Sequence, residues 1–384
     1  MSADGSEEAA TDGEPRESDD SRWRPGSLAA DLGFLAAGLG VASAGLPWTS
    51  ALPFAPVASV QPEPAAFALA ATVAFLARRR GLVDRRGALV AGAFAALFGA
   101  TAFAALVLPA AAGSGAAVDV GVPAGFALAA LALAFAVADY ASVDANGLGA
   151  RARTTGLVVG VAFGGLVVAA LVASVVRGAI GVLPAPALAS TVAGQAASAV
   201  GLGLAALAYV ALSGREWTYL DVRFDRRAAA WTVGGLVGMF VVLVAASAAT
   251  RMLGVSGATH STVEQIRAAP LLGLALVPVS LLLVGPGEEL LMRNVVQKGL
   301  YEAFSRRGAV VVGCVVFTLV HLPAYASTGG GPAAVGTTLA RLFAVSLVLA
   351  VVYERTDSVV AAALAHGGYD AVQFAWVYFA VSSP

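Results

Sequence analysis

Apolar runs of about 20 residues recur along most of the chain, separated by short polar or arginine-rich segments. Runs of this length can cross the hydrocarbon core of a membrane as helices. The predicted fold is therefore all-α, a polytopic transmembrane helix bundle of about 10–11 spans. The predicted spans lie near residues 28–48, 54–77, 87–110, 120–140, 156–176, 189–212, 229–249, 270–285, 309–324, 333–353 and 358–381.

The composition agrees with a membrane protein. Of the 384 residues, 59% are hydrophobic and 12% are charged, whereas a soluble domain has about 25% charged residues. The formal net charge of −1 gives no indication of nucleic-acid binding, and we expect the lipid bilayer rather than nucleic acid as a partner. The single cysteine, Cys314, excludes an intramolecular disulfide and a cysteine-based zinc site.

The basic residues predict the orientation. With a cytoplasmic N-terminus, 19 of the 23 Lys and Arg residues, Arg293 among them, fall in cytoplasmic segments. Only Arg177, Arg251 and Arg267 fall on the opposite side. Cytoplasmic loops of membrane proteins carry an excess of Lys and Arg, so this distribution supports the orientation. The chain is thus predicted to be a multi-pass protein of the cell membrane. Arg341 falls within a span, where it either neutralises an acid of the site or approaches the membrane interface.

The distribution of polar residues predicts three regions. Residues 1–27 are an acidic cytoplasmic tail, expected to be disordered because of its low hydrophobicity and high charge. Residues 28–250 are predicted to form a transmembrane scaffold, and residues 251–384 a second domain that carries the buried polar residues, with its motif core at 270–375. His260, in the loop that opens the third region, is expected to lie outside the site.

Glycine repeats occur in the predicted scaffold. They are Gly156-x-x-x-Gly160-x-x-x-Gly164 and Gly234-x-x-x-Gly238. Such repeats permit close contact between membrane helices, and we interpret both as packing surfaces.

Acids and histidines concentrate at predicted membrane depth in the last hundred residues. An ionisable group there is costly unless it is paired or hydrated, so such groups are usually functional. The three clusters are Glu288-Glu289-x-x-x-Arg293, Phe317-x-x-x-His321 and His366-x-x-x-Asp370.

The first cluster contains one acid with a predicted partner and one without. Pro286 and Gly287 interrupt the apolar run, and we expect a helix to restart at Glu288. Glu289 and Arg293 are four residues apart and can form an ion pair on one helix face. Glu288 is turned away by about 100° and remains available for chemistry.

The other two clusters add imidazoles and a carboxyl. A desolvated glutamate suits general-base catalysis, and neutral imidazoles can orient a water, stabilise an oxyanion or bind zinc. His366 and Asp370 share a helix face, so Asp370 can orient the imidazole or contact substrate itself. Together with Glu288 and His321, these residues predict a hydrolytic site among the C-terminal helices.

The order and spacing of these motifs resemble the CPBP family, the CAAX-processing and bacteriocin-processing intramembrane endopeptidases also called the Abi family. The resemblance covers about residues 270–375. It implies that Glu288 activates a water, that His321 and His366 position the water or a metal, and that Asp370 helps to stabilise the oxyanion. Glu289 and Arg293 would support the site. The family usually has Asn at the position of Asp370, so Asp370 is either a protonated donor or a residue that orients His366.

The requirement for a metal stays open at this stage. Glu288, His321 and His366 could form a three-ligand zinc site with one open position. The chain has no His-Glu-x-x-His helix, and a metal-free mechanism based on glutamate and histidine fits the same residues. The cofactor is therefore unknown, with zinc as the candidate.

The leading hypothesis is an intramembrane endopeptidase that cuts a membrane-associated protein or peptide, by CAAX-type processing or peptide maturation. A secondary transporter with a proton relay is the first alternative, although it predicts an internal repeat that the sequence does not show. A catalytically silent membrane binding protein is the second alternative.

Overall fold

The computed structural model describes residues 27–45, 62–111, 121–182, 186–328 and 331–383. These ranges contain helices and connecting loops and no strand, which confirms the predicted all-α helix bundle. The predicted acidic tail, apart from residue 27, and residues 54–61 of the second predicted span lie outside the described residues.

The described part of the chain contains fifteen α-helices. They are α1 (Leu28–Gly45), α2 (Pro62–Arg79), α3 (Gly87–Ala111), α4 (Gly121–Tyr140), α5 (Ala145–Gly181), α6 (Ala187–Leu212), α7 (Arg226–Met252), α8 (Ser261–Ala268), α9 (Leu271–Val279), α10 (Gly285–Glu289), α11 (Lys298–Leu300), α12 (Arg306–Val320), α13 (Leu322–Ala326), α14 (Pro332–Thr356) and α15 (Val359–Ser382). π-Helical segments at Ser280–Val284 and Leu290–Gln297 join α9, α10 and α11 into one continuous rod.

Eight helical stretches in these ranges are long and apolar enough to cross a membrane. The predicted spans near 28–48, 54–77 and 358–381 correspond to α1, α2 and α15, which are not among the eight. α1 is a shorter apolar helix. α2 carries Glu63, Arg78 and Arg79, and α15 carries His366 and Asp370, so their polar residues lower the mean hydropathy.

Helices α1 to α4 pack on one another around aromatic side chains. Phe75 and Phe98 are almost fully buried among alanines of the neighbouring helices. α1 makes room for both rings with glycine, since a Cβ at Gly33 would lie 2.3 Å from the Phe75 ring and one at Gly40 would lie 2.5 Å from the Phe98 ring. Small residues thus set the spacing in this bundle.

The glycine repeats do not provide the packing surface predicted for them. A Cβ at Gly156, Gly160, Gly164 or Gly234 would meet no atom within 4 Å, so the interpretation of these glycines as packing residues was wrong. Only Gly238 of the second repeat has a close neighbour. The buried face of α5 is instead the adjacent row of residues Val158, Ala162, Gly165, Ala169 and Ala173.

Helices α5, α6 and α7 pack against the motif-bearing helices. A Cβ at Gly165 of α5 would lie 2.5 Å from the Leu291 side chain, and one at Gly235 of α7 would lie 2.5 Å from Val352 of α14. These helices therefore pack around the region that carries the motifs. The division of the chain at residue 250 stays a prediction.

A polar network closes one end of this bundle. Asp221, in the loop before α7, accepts hydrogen bonds from Lys298 Nζ at 2.8 Å and from the Tyr353 hydroxyl at 2.5 Å. Its backbone N–H donates to Asn294 Oδ1 at 2.8 Å. Because the rod formed by α9 to α11 and helix α14 both end at this network, the two elements run in the same direction.

The predicted orientation can be tested with single cysteines in a Cys314→Ala background. Leu82 and Val182 are 77% and 83% exposed, at opposite ends of the helices. With a cytoplasmic N-terminus, a membrane-impermeant maleimide is expected to label Val182→Cys in intact cells, and Leu82→Cys only after permeabilisation. The reverse labelling pattern would contradict the orientation.

Candidate active site

The helix that carries the two adjacent glutamates does not begin at Glu288. Helical structure continues from Leu271 to Leu300, so the predicted restart after Pro286 was wrong. Pro286 has no N–H to donate, and the preceding π-helical turn accommodates it with an N–H bond from Gly285 to the carbonyl of Ser280. π-Helical turns are rare and occur frequently at functional sites. Here they flank the glutamates on both sides.

The glycines around Pro286 allow two neighbouring helices to approach the glutamates. A Cβ at Gly285 would lie 2.3 Å from the carbonyl oxygen of Ala363 in α15, and one at Gly287 would lie 2.2 Å from that of Ala199 in α6. Neither position tolerates a side chain without movement of backbone. The Gly-Pro-Gly sequence therefore permits close contact of this helix with α6 and α15 and does not interrupt it.

Glu289 and Arg293 form the predicted ion pair, and both side chains are fully buried. Arg293 Nε donates to Glu289 Oε2 at 2.8 Å, and Arg293 Nη2 donates to Ser346 Oγ of α14 at 3.1 Å. The guanidinium also lies 5.0 Å from the centre of the Phe317 ring, a cation–π contact. Arg293 was counted among the cytoplasmic residues, which was wrong because the pair holds it inside the bundle.

The second oxygen of Glu289 fixes His366. The Nδ1 atom of His366 lies 2.7 Å from Glu289 Oε1, and an ionised carboxylate can only accept, so Nδ1 is the donor. The opposite ring nitrogen, Nε2, then points towards two further acids. It lies 3.6 Å from Asp370 Oδ2 and 3.9 Å from Glu288 Oε2.

His321 is fixed by the end of its own helix. It follows α12, where the last carbonyls lack helical partners, and its Nδ1 donates to the Phe317 carbonyl at 2.8 Å. The imidazole also packs on the Phe317 ring, with 4.4 Å between centroids. The four-residue spacing of Phe317 and His321 therefore orients the ring. Its Nε2 lies 3.6 Å from Glu288 Oε2.

The Oε2 atom of Glu288 has no direct partner among the described residues. This atom is buried and makes no hydrogen bond to them. Separations of 3.6 and 3.9 Å from the two imidazole Nε2 atoms are too long for direct hydrogen bonds. Each separation is short enough for a water to bridge Glu288 and one of the imidazoles.

These side chains line one cavity of about 380 Å³. The structure brings Glu288, His321, His366 and Asp370 to its wall, while the Glu289–Arg293 pair is buried behind them. The cavity also reaches residues of the α7–α8 loop and of α13, away from the network around Asp221.

His260 lies in the cavity wall, contrary to the expectation that it would be outside the site. Its ring packs edge-on against Tyr325 with centroids 5.0 Å apart, and its Nδ1 accepts the Thr262 N–H at 3.1 Å. Burial, together with the neighbouring His321, lowers the pKa of His260 to about 4. It is therefore neutral at pH 7, with its proton on Nε2.

Arg341 also lines the cavity, and the sequence did not decide its role. It forms no ion pair with a site acid or with any other acid of the described residues. Neither His260 nor Arg341 belongs to a motif with a recognisable spacing. Only their rarity, as a histidine and an arginine near membrane depth, could have singled them out.

The predicted zinc ligands Glu288, His321 and His366 come close to the spacing of a tetrahedral metal site but are not arranged as a preformed one, so zinc binding stays a prediction. In a tetrahedral site with bonds of about 2.1 Å, ligand atoms lie about 3.4 Å apart. Glu288 lies 3.6 and 3.9 Å from the two imidazole nitrogens, and no group of three His, Cys, Asp or Glu side chains in the described ranges is arranged to hold a metal ion.

Comparison with known proteins matches the part of the chain that contains the three motifs. Residues 270–372 match the Rce1-like family, described as type II CAAX prenyl endopeptidase Rce1-like. The match confirms the resemblance to the CPBP family, and it includes all three motifs. Residues 1–269 lie outside it. Comparisons with curated proteins and with solved structures found no match.

The buried ion pair predicts a large stability difference between two arginine variants. Arg293→Met leaves Glu289 buried without its charge partner, and loss of one partner of a buried pair costs about 3–5 kcal/mol. Arg267→Met is the matched control, because the Arg267–Glu264 pair is similar in length at 2.9 Å but about half exposed, and such pairs contribute about 0–1 kcal/mol. Unfolding of the purified protein in detergent measures both. Equal losses of stability would contradict the structural role of Arg293.

Proposed function

We propose that the protein is an intramembrane endopeptidase that hydrolyses a peptide bond of a membrane-associated protein or peptide. The observation that carries the proposal is the unpartnered carboxylate oxygen of Glu288, which faces a cavity between the Nε2 atoms of His321 and His366. The Rce1-like match over residues 270–372 supports the same class of enzyme.

Glu288 is the general base in this proposal. A water held between Glu288 Oε2 and His321 Nε2 loses a proton to the carboxylate as its oxygen attacks the carbonyl carbon of the substrate. The C–N bond of the tetrahedral intermediate then breaks, and the leaving nitrogen takes the proton from Glu288. The products are a carboxylic acid and an amine, which become a carboxylate and an ammonium group when the acid's proton passes to the amine, and Glu288 returns to its starting state as a carboxylate.

His321 and His366 have different tasks because their Nδ1 partners differ. His321 donates to a neutral carbonyl, so its Nε2 can accept a hydrogen bond from the attacking water. His366 donates to the carboxylate of Glu289, which fixes its ring and stabilises an imidazolium. Protonated at Nε2, His366 would donate to the oxyanion that forms on the carbonyl oxygen.

Asp370 would complete the oxyanion site. It lies 3.6 Å from His366 Nε2, on the same side as Glu288. A protonated carboxyl at this position donates as the amide of the usual Asn would, whereas an ionised carboxyl can only orient His366. We favour the donor role because the family pattern places a donor there.

Glu288→Gln tests the central role of the base. The amide cannot take a proton, so kcat is expected to fall by about 10²–10⁴-fold, the usual contribution of a general base. Glu302→Gln is a control at an exposed acid far from the cavity and should leave the rate unchanged. The assay is cleavage of a farnesylated CAAX peptide by the purified protein in nanodiscs. Full activity of Glu288→Gln would exclude this mechanism.

Two substitutions separate the possible roles of Asp370. Asp370→Asn keeps a donor and is expected to retain activity within about tenfold, whereas Asp370→Leu removes it and should lower kcat by about 10²–10³-fold. Steady-state kinetics in the same assay measure both variants. If Asp370→Asn is as inactive as Asp370→Leu, the residue acts as an anion that orients His366, and the donor role is wrong.

A further inference from the structure

Arg341 is a cation on the cavity wall with most of its hydrogen-bonding capacity unused. One terminal nitrogen donates to Thr250 Oγ1 at the end of α7, and this is its single hydrogen bond to the described residues. Its Nε atom is buried and has no hydrogen-bond partner in the part of the chain that the structure describes. A guanidinium has five N–H donors and is always charged.

An arginine within a membrane span normally faces a partner or a water-filled cavity. Arg341 faces the cavity that contains the site, but it forms no ion pair with Glu288 or Asp370. The site acids are instead directed towards the two histidines. The positive charge is therefore available for an anion that enters the cavity.

The surroundings of Arg341 hold its guanidinium near the α7–α8 loop. A Cβ at Gly257 would lie 3.1 Å from Arg341 Nη1 and 2.6 Å from Thr338 Oγ1, so glycine permits the loop to lie against α14. The backbone N–H of Ala258 donates to the Ala334 carbonyl at 3.0 Å and fixes this contact. A cation held in place in this way loses little conformational freedom when it binds an anion.

The depth of Arg341 matches that of the proposed base. Arg293 contacts Ser346, and the two helical elements run in the same direction. Glu288 precedes Arg293 by five positions and Arg341 precedes Ser346 by five positions, so Glu288 and Arg341 lie at similar depth on different walls of the cavity. A sphere with the cavity volume of about 380 Å³ is about 9 Å across, which two or three extended residues can span.

We propose that Arg341 binds the C-terminal carboxylate of the substrate, two or three residues beyond the bond that is cut. This inference rests on the proposed endopeptidase function and assigns Arg341 as the residue that recognises the end of the substrate chain. Arginine recognises a carboxylate through paired, charge-assisted hydrogen bonds. The subsite would thus measure the distance from the cut to the chain end, in agreement with a CAAX-type tail.

The test combines a change in the enzyme with a change in the substrate. A farnesylated peptide that ends in Cys-Val-Ile-Met is used as the free acid and as the C-terminal amide. Wild-type protein is expected to prefer the acid by about 10–100-fold in kcat/KM. Arg341→Gln should remove this preference by raising KM for the acid far more than KM for the amide.

Two further variants distinguish recognition from folding. Arg341→Lys keeps the charge and should restore part of the preference, and Arg267→Gln, at an exposed arginine on the same side of the bundle, should leave it unchanged. The proposed carboxylate subsite is wrong if Arg341→Gln lowers the cleavage rates of both peptides equally. It is also wrong if the substitution lowers neither rate. The effect of Arg341→Gln could instead depend on anionic lipid in the nanodisc and not on the end of the peptide. That result would assign Arg341 to binding a lipid headgroup and would also overturn the carboxylate subsite.

Binding separates this inference from the proposed function. Fluorescence anisotropy of a dye-labelled version of each peptide on the Glu288→Gln protein requires no turnover. A preference for the acid that disappears in Glu288→Gln/Arg341→Gln supports the subsite even if the catalytic assignment fails. Equal affinity for the acid and the amide on Glu288→Gln would overturn the subsite even if the protein is an endopeptidase.

Discussion

The buried Glu289–Arg293 pair is the interaction on which the rest of the site depends. Arg293 holds one oxygen of Glu289 and reaches Ser346 of α14, while the other oxygen of Glu289 holds His366 of α15. Three helices thus meet at one carboxylate. A charge at this depth is costly unless it is paired, so the pair stabilises Glu289 as an anion and fixes the imidazole beside it.

The pair also explains why two adjacent acids have different surroundings. Glu289 has both oxygens bound, whereas Glu288, one residue earlier, turns towards the cavity with an unpartnered oxygen. π-Helical turns on both sides and glycines at 285 and 287 bring α6 and α15 against this short segment. The local backbone therefore places one acid in the packed interior and the other at the cavity surface.

The parts of the site that local spacing determines could be predicted from the sequence. The four-residue separations of Glu289 from Arg293 and of Phe317 from His321 fix contacts within one helix. The place of His260 depends on how a loop folds back over other helices, and no local spacing encodes that. The glycine repeats were misinterpreted for a related reason, because Gly156 and Gly160 satisfy the packing pattern but face away from the neighbouring helices. Pro286 predicted a helix break because a compensating π-helical turn has no clear sequence signature.

The most direct test of the proposed chemistry is an experimental structure of the wild-type protein with a peptide in which a hydroxyethylene group replaces the scissile bond. The hydroxyl of that group occupies the place of the attacking water or of the oxyanion. We predict that it lies about 2.6–3.2 Å from Glu288 and from at least one of the two imidazole Nε2 atoms. A peptide bound in the cavity with this hydroxyl remote from Glu288 would contradict the account.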